Sequence, residues 1–323
     1  MAGNYKRYTI DNARFADSVG ENVPIESIKY DFAPDPRPRA VGVEPALIFV
    51  WDDIQKILRV RPIVSNTLSS LITSGYNEIS VLECDIINKK IFIGYEDSAV
   101  PGDYYIDAAN YDPDNGTLSN RTAVYGPISN KITSMRPDQT NQLLYFATGA
   151  NKGYRMEYNG DNVTLFSTAA HSPHGGFDFD DDNNDLWWGT AGSEGLIVIS
   201  DMDALPYWGA TTVCTHGTST ADRIEGIKVD IDHDFLFYGG ESFLGIYIAS
   251  GFGTATPVSS TLMFSVSRYL RTAFDIDRVN QYLYVVDNSA GNIYRYTYSN
   301  GMAEDQTDMG LLPNTTHTHI ALG

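Results

Sequence analysis

The stretch TAFDIDRVNQYLYVVDNSAGNIYRYTYSNG, residues 272–301, contains three short segments of apolar and aromatic residues separated by two polar turns. The first turn begins at an Asp-rich position, and the second segment carries a central aromatic residue, Tyr284. Val, Ile, Tyr, Phe and Thr dominate the segments, whereas Asp, Asn and Gly lie between them. This pattern predicts antiparallel β-strands joined by short hairpins.

The same pattern recurs in five further copies along the chain. Each copy has a central aromatic residue on its second strand, and these aromatics are spaced by 42 to 53 residues. Further short apolar segments, such as RTAVYG (121–126) and VTLFST (163–168), supply a fourth strand to the copies. Repeats of this length with four strands are typical of β-propeller blades. The central aromatics are Phe49, Phe92, Tyr145, Trp187, Phe237 and Tyr284.

The first copy, residues 46–63, lacks a strand before its central aromatic. The end of the chain, THTHIALG (316–323), resembles the first strands of the other copies. We therefore predict an all-β fold, a six-bladed β-propeller of four-stranded blades over residues 44–323, in which the C-terminal strand completes blade 1. Such closure leaves no open sheet edge at the junction and keeps the ring from opening.

The segment LYVVDNSAGNIYRYTYSNG (283–301) resembles a YWTD repeat, the blade of the low-density-lipoprotein-receptor propellers. It is also similar to NHL and gluconolactonase (SMP-30) repeats. The resemblance extends over residues 46–323 as a pattern, but it is specific only in the last copy, because the tetrad elsewhere reads FVWD, FIGY, YFAT, WWGT and FYGG. It implies a propeller fold and leaves the function open, since propellers serve as receptors, lactonases, lyases and scaffolds.

Residues 1–43 do not fit the repeat. They contain Pro24, Pro34, Pro36 and Pro38, and spaced prolines favour an extended backbone. We interpret this segment as an extended arm. It either straps the side or face of its own propeller or reaches a neighbouring subunit.

Composition restricts the partners. The formal net charge of −19 disfavours nucleic acid and anionic membranes, since both would repel the protein. No apolar run approaches 18 residues and the first 25 residues lack a signal core, so neither membrane insertion nor a signal peptide is predicted. We expect an extracellular or virion location rather than a cytoplasmic one. Cys84 and Cys214 lie on predicted strands and are interpreted as buried free thiols.

Metal binding is one interpretation of the residues that begin the innermost strands. The gluconolactonase resemblance implies that carboxylates and Asn from separate blades bind one divalent ion, which polarises a lactone or ester carbonyl. Glu78, Asn130 and Glu225 are the positions that match this role, with Ca²⁺ as the candidate ion. Arg271 begins another innermost strand and counts against a metal there, and a wet channel lined by polar residues needs no ligand. The remaining residues at these strand starts are His174 and His319.

The run DFDDDNND, residues 178–185, is a second candidate for Ca²⁺, with Asp180 and Asp182 as ligands. It lacks the Gly and the terminal Glu of an EF-hand loop. It also lies where every other copy has a hairpin turn, so a turn capped by Asp and Asn explains it equally well.

Two functions fit these observations. The first is a non-enzymatic structural or interaction propeller that associates with itself or other proteins, as a virion component or an extracellular fibre subunit, with the arm contacting a neighbour. The alternative is a divalent-metal-dependent lactonase or hydrolase of the gluconolactonase type. No Gly-x-Ser-x-Gly motif is present to supply a nucleophilic serine, which favours the first function.

Overall fold

The fold is described from a computed structural model of the chain, which divides into two compact units, Met1–Pro38 and Arg39–Gly323. Every regular element in the described ranges is a β-strand. Within these ranges we find no helix of the length and apolarity that crossing a membrane requires. The structure describes residues 10–11, 14–16 and 22–24, and from residue 44 onward all positions except 66–68, 73, 167–172, 181–184, 191–195, 202–210, 216–223, 231, 234, 241–246, 251–260, 263–268, 288–291, 299–303 and 312–316.

The N-terminal unit contains a small antiparallel sheet of three strands, β1 (Ile10–Asp11), β2 (Arg14–Ala16) and β3 (Asn22–Pro24). The sequence predicted only an extended arm here, because these strands are too short to show an alternating pattern. Pro34, Pro36 and Pro38 lie outside the described residues.

The described strands from residue 47 onward form six four-stranded antiparallel sheets. Sheet 1 combines β27 (His317–Leu322) with β4 (Leu47–Asp52), β5 (Ile57–Pro62) and β6 (Ser69–Ile72). Sheet 2 contains β7 (Tyr76–Asp85), β8 (Lys90–Asp97), β9 (Tyr104–Tyr111) and β10 (Leu118–Ile128). Sheet 3 contains β11 (Ile132–Asp138), β12 (Leu143–Thr148), β13 (Lys152–Glu157) and β14 (Thr164–Leu165).

Sheets 4 to 6 repeat this order. Sheet 4 contains β15 (Pro173–Asp180), β16 (Asp185–Thr190), β17 (Leu196–Asp201) and β18 (Thr211–Thr215). Sheet 5 contains β19 (Ile224–Asp230), β20 (Phe235–Gly240), β21 (Tyr247–Ser250) and β22 (Thr261–Leu262). Sheet 6 contains β23 (Tyr269–Asp277), β24 (Tyr282–Asp287), β25 (Asn292–Thr297) and β26 (Glu304–Leu311).

The first strands of the sheets surround a common axis. They contact one another in the order β7, β11, β15, β19, β23 and β27, and β27 contacts β7 again. Apolar clusters fill the space between neighbouring sheets, as where Phe92 of sheet 2 packs with Met135 and Phe146 of sheet 3. Sheets packed face to face around an axis define a β-propeller, which confirms the predicted all-β propeller fold. The six central aromatics are all buried in these layers.

The strand β27 comes from the opposite end of the chain to its partner β4. Their register runs from His317 opposite Asp52 to Leu322 opposite Ile48. Beyond it, the backbone N–H groups of Ala46 and Leu47 donate to the Gly323 carbonyl at 2.8 and 2.7 Å. We call this junction of β27 and β4 the seam.

The Asp-rich turns between first and second strands have a structural cause. At three of them, the two carboxylate oxygens of the Asp accept a backbone N–H and a side-chain amide from an Asn three residues later, at 2.7 to 3.1 Å. The carboxylate therefore satisfies the turn's backbone. The pairs are Asp85–Asn88, Asp138–Asn141 and Asp277–Asn280.

Candidate functional site: the central channel

Each first strand places one residue opposite the central aromatic of its sheet. Five of these six residues are charged, and their signs alternate around the axis. The sixth, on β27, is the small residue Ala321. We call this set the charge ring: Glu83, Arg136, Asp178, Lys228, Asp275 and Ala321.

The charge ring is joined by ion pairs across the channel. Glu83 contacts Arg136 at 3.0 Å and Lys228 at 2.9 Å. Lys228 also contacts Asp275 at 2.9 Å, and Arg136 contacts Asp178 at 2.6 Å. A further cation, Arg278 from the turn after β23, contacts Asp178 at 2.7 Å. Three carboxylates therefore share three cations, and the group is neutral as a whole.

Backbone groups complete the hydrogen bonding of the ring. The Val229 N–H donates to Asp178 at 2.5 Å. The Leu322 N–H, on β27, donates to Asp275 at 2.9 Å. Sheet 1 thus contributes a backbone donor where the other sheets contribute a charged side chain. Buried charges are stable only when they are paired and hydrogen-bonded in this way.

Burial and pairing oppose each other in the pKa values of the ring. Burial acts to raise the pKa of Asp178, but Arg136 and Arg278 outweigh it, so this pKa lies below its usual value. Burial acts to lower the pKa of Lys228, but Asp275 and Glu83 outweigh it and raise this pKa. At Glu83 burial outweighs Lys228 and Arg136, and the pKa is raised. The ring therefore favours ionised Asp178 and Lys228, whereas burial makes Glu83 a weaker acid than an exposed glutamate.

The ring separates two small cavities along the channel. One, about 40 Å³, lies on the side where the first strands begin, which we call the start face, and is lined by Ser80, Thr133, Lys228 and His319 among others. The other, about 70 Å³, lies on the side of the turns between first and second strands, which we call the turn face, and is lined by residues that include Cys84 and Leu322. Each has room for a few water molecules.

The residues predicted to hold a metal at the start face are not all described. Glu78 makes an ion pair with Lys131 at 2.5 Å, and both side chains are more than a third exposed. Asn130 is exposed, and Glu225 lies on β19 with its side chain outside the described set. Where side chains are described, no group of three His, Cys, Asp or Glu residues is placed to hold a metal ion.

The second candidate, the Asp-rich run, spans the end of β15 and the start of β16 in sheet 4. Asp180 ends β15 opposite Asp185, its side chain is outside the described set, and Asp182 lies outside the described residues.

The charge ring was missed by the sequence analysis, although a signal for it exists. In five copies the turn Asp is preceded, two residues earlier, by a charged residue, as in Glu-Cys-Asp (83–85) and Lys-Val-Asp (228–230). Alternation along a strand directs both residues to the same side of the sheet. A charged residue at the same inward position of five copies predicts a network rather than five isolated sites.

A second polar cluster lies in sheet 2 alone. Asp107 is buried and accepts hydrogen bonds from the Tyr76 hydroxyl at 2.8 Å and the Tyr95 hydroxyl at 3.1 Å. Arg121 lies 3.7 Å from the same carboxylate and over the Tyr76 ring. Burial raises the pKa of Asp107 despite these donors. The cluster is internally satisfied, and Arg121 covers its solvent side.

Comparison with known proteins agrees with the fold. No model of a known protein family matches the sequence, and no curated protein does. Among solved structures, a chain of a nidogen/laminin complex has a TM-score of 0.65 at 12% identity, over 85% of this chain and 97% of that one. A putative 6-phosphogluconolactonase from Bacteroides fragilis has a TM-score of 0.58 at 13% identity, over 88% and 99%.

A third similar structure is a periplasmic gluconolactonase from Pseudomonas aeruginosa, with a TM-score of 0.54 at 10% identity over 81% of this chain and 79% of that one. At these identities the similarity supports a β-propeller fold and nothing finer. The similar structures include both a nidogen/laminin complex and gluconolactonases, so they do not separate an interaction protein from an enzyme.

Proposed function

We propose that this protein is a non-enzymatic interaction propeller and a subunit of a larger assembly, such as a virion component or an extracellular fibre. In this proposal the domain of residues 44–323 is a six-bladed ring closed by β27, and the arm of residues 1–43 contacts a neighbouring subunit. The six four-stranded sheets and the pairing of β27 with β4 support the ring.

The charge ring is the observation that carries the proposal. A lactonase of the gluconolactonase type needs carboxylates that are available to a divalent ion. Here Glu83, Asp178 and Asp275 each have a cationic side chain within 3.0 Å. Replacing such a partner by a metal would leave a buried ammonium or guanidinium unpaired, which is strongly unfavourable. The channel residues therefore favour a packed structural core over a metal centre.

The start face supports the same function. Glu78 already has Lys131 as a counter-ion, which weakens its suitability as a metal ligand. The two cavities that the described residues line in the channel are small, so recognition is directed to the surfaces of the ring and to the arm. A net charge of −19 favours partners that are not themselves strongly acidic.

Sedimentation velocity of the full chain over a range of concentrations, with electron microscopy of the same sample, tests this function. We expect a defined oligomer, lattice or fibre, and no stoichiometric divalent metal by elemental analysis. A variant lacking residues 1–38, checked by circular dichroism for retained β-structure, should yield single rings. Monomers at every concentration would contradict the assembly, and one tightly bound ion per chain would favour the lactonase.

A further inference from the structure

The seam differs from the other junctions between first and second strands. In sheets 2 to 6 these two strands follow one another in the sequence, so a turn joins them covalently. In sheet 1, β27 and β4 come from distant parts of the chain, and only hydrogen bonds and side-chain packing hold them together. An event that weakens β27 can therefore release it without breaking a hairpin.

Among the described side chains of β27, His319 is the titratable one that lines the channel. It lies opposite Trp51 of β4, next to an irregularity in the register, and lines the cavity on the start face. Its imidazole makes a hydrogen bond with the backbone of Ser80 on β7. The side chain thus bridges the closing strand and the first strand of sheet 2.

The charges around His319 come from several elements. Lys131, between β10 and β11, opposes protonation of the imidazole, and Asp53, in the turn after β4, favours it. Glu78 of β7 is paired with Lys131. Lys228 of β19 and Glu83 of β7 line the same cavity and are paired with each other, and Asp275 of β23 faces Lys228.

These surroundings favour the neutral imidazole in the closed ring. Burial, followed by Lys131, lowers the pKa of His319 to about 3. A released, solvated histidine has a pKa near 6.5. Protons therefore bind the open form more strongly. The equilibrium constant for closure has its full value above pH 6.5, and it falls by about tenfold for each pH unit below that value.

We propose that His319 makes the seam an acid-sensitive latch, in which protonation of its imidazole releases β27 from β4 and opens the ring. The proposal rests on closure of the ring by β27, which is part of the proposed function. Opening would expose the faces of sheets 2 and 6 that β27 covers, so the latch gives an acidic environment a means of remodelling the assembly.

Cys84 provides a native reporter of opening. Its thiol is buried and lies close to Gly323, the residue just beyond β27. A methyl group added to the Cα of Gly323 would be 3.2 Å from the Cys84 sulfur. Release of β27 uncovers this thiol. A pyridyl disulfide reacts with thiols at acidic pH, so the labelling rate of Cys84 in the full chain, divided by its rate in the urea-unfolded chain, measures the open fraction. A Cys214→Ser background removes the other thiol.

We expect the open fraction to rise about a hundredfold between pH 7.5 and 4.5, because two of these pH units lie below 6.5. His319→Gln should remove this dependence. The matched control is His233→Asn, since His233 contacts Asp230 in a turn where other sheets have Asn, and it should behave like the unmodified chain. Lys131→Gln, which removes the opposing cation, should reduce the rise and serves if His319→Gln does not fold.

The outcomes separate the latch from the function it rests on. Rapid labelling of Cys84 already at pH 7.5 would contradict closure by β27. Protection that persists unchanged at pH 4.5, or a rise that survives in His319→Gln, would overturn the latch alone. Labelling that coincides with loss of the β-sheet circular dichroism signal would also overturn it, because acid would then unfold the whole ring.

Discussion

At the residue scale, Lys228 joins parts of the charge ring that are distant in sequence. Its ammonium lies 2.9 Å from carboxylates on β7 and β23, and all three side chains are buried. The pair with Glu83 spans 145 positions in the sequence. A long flexible side chain reaches both partners across the axis, which a shorter residue on β19 could not do.

Replacing Lys228 by Met, which has a similar volume, should destabilise the protein by about 3–5 kcal/mol, because Glu83 and Asp275 would remain buried without this counter-ion. Urea unfolding at pH 7 measures the change. The control is Lys131→Met, which removes the exposed pair with Glu78 and should cost less than about 1 kcal/mol. Equal losses in the two variants would show that the charge ring is solvated.

At the element scale, the hairpin turns repeat one backbone conformation. The residue after the Asn of the clamp has a positive φ, between 53° and 55°, at Lys89, Gln142 and Gln281. This left-handed conformation ends the turn and begins the second strand with the correct twist. None of the three is Gly, so each turn carries a modest steric cost that the Asp–Asn clamp offsets.

Substitutions at Gln142 test this backbone conformation, because the side chain is exposed and its replacement should affect stability mainly through the allowed φ. Gln142→Gly should change the free energy of unfolding by less than about 1 kcal/mol. Glycine relieves the strain of the positive φ in the folded state, but it increases the conformational entropy of the unfolded chain, and the two effects oppose each other. Gln142→Val should destabilise by roughly 1–2 kcal/mol, because a β-branched residue disfavours this conformation. Thermal unfolding compares them, and equal stability of the Val and Gly variants would refute the strain.

At the scale of the whole molecule, the sequence predicts the features that repeat along the chain. It does not predict contacts between residues that are distant in the sequence. The central aromatics, such as Phe92 and Tyr284, recur at fixed positions, so the propeller could be recognised from spacing alone. The ion pairs of Glu83 are formed with partners in two other copies. The local pattern can mark the charged position in each copy, but it does not show which of these charges pair. The metal site at Glu78, Asn130 and Glu225 stays a prediction, and the ion pair of Glu78 with Lys131 is a contact that the strand starts alone do not reveal.

A last prediction concerns the seam and the stability of the whole molecule. Ile320 on β27 and Ile293 on β25 are both buried in the same apolar cluster between sheets 6 and 1. Replacing either by Ala should destabilise the protein by a similar amount, about 2–5 kcal/mol, through the cavity that it leaves. The two strands differ in attachment, however, because β25 is held by hairpin partners on both sides and β27 is joined to β4 without a covalent turn.

Local opening should therefore distinguish the two variants. Below the urea transition at pH 7.5, we expect Ile320→Ala to increase labelling of the Cys84 thiol by at least tenfold and Ile293→Ala to leave it near the value of the unmodified chain. Equal labelling in both variants would mean that the ring opens only by global unfolding, and that a junction without a covalent turn is as strong as a hairpin.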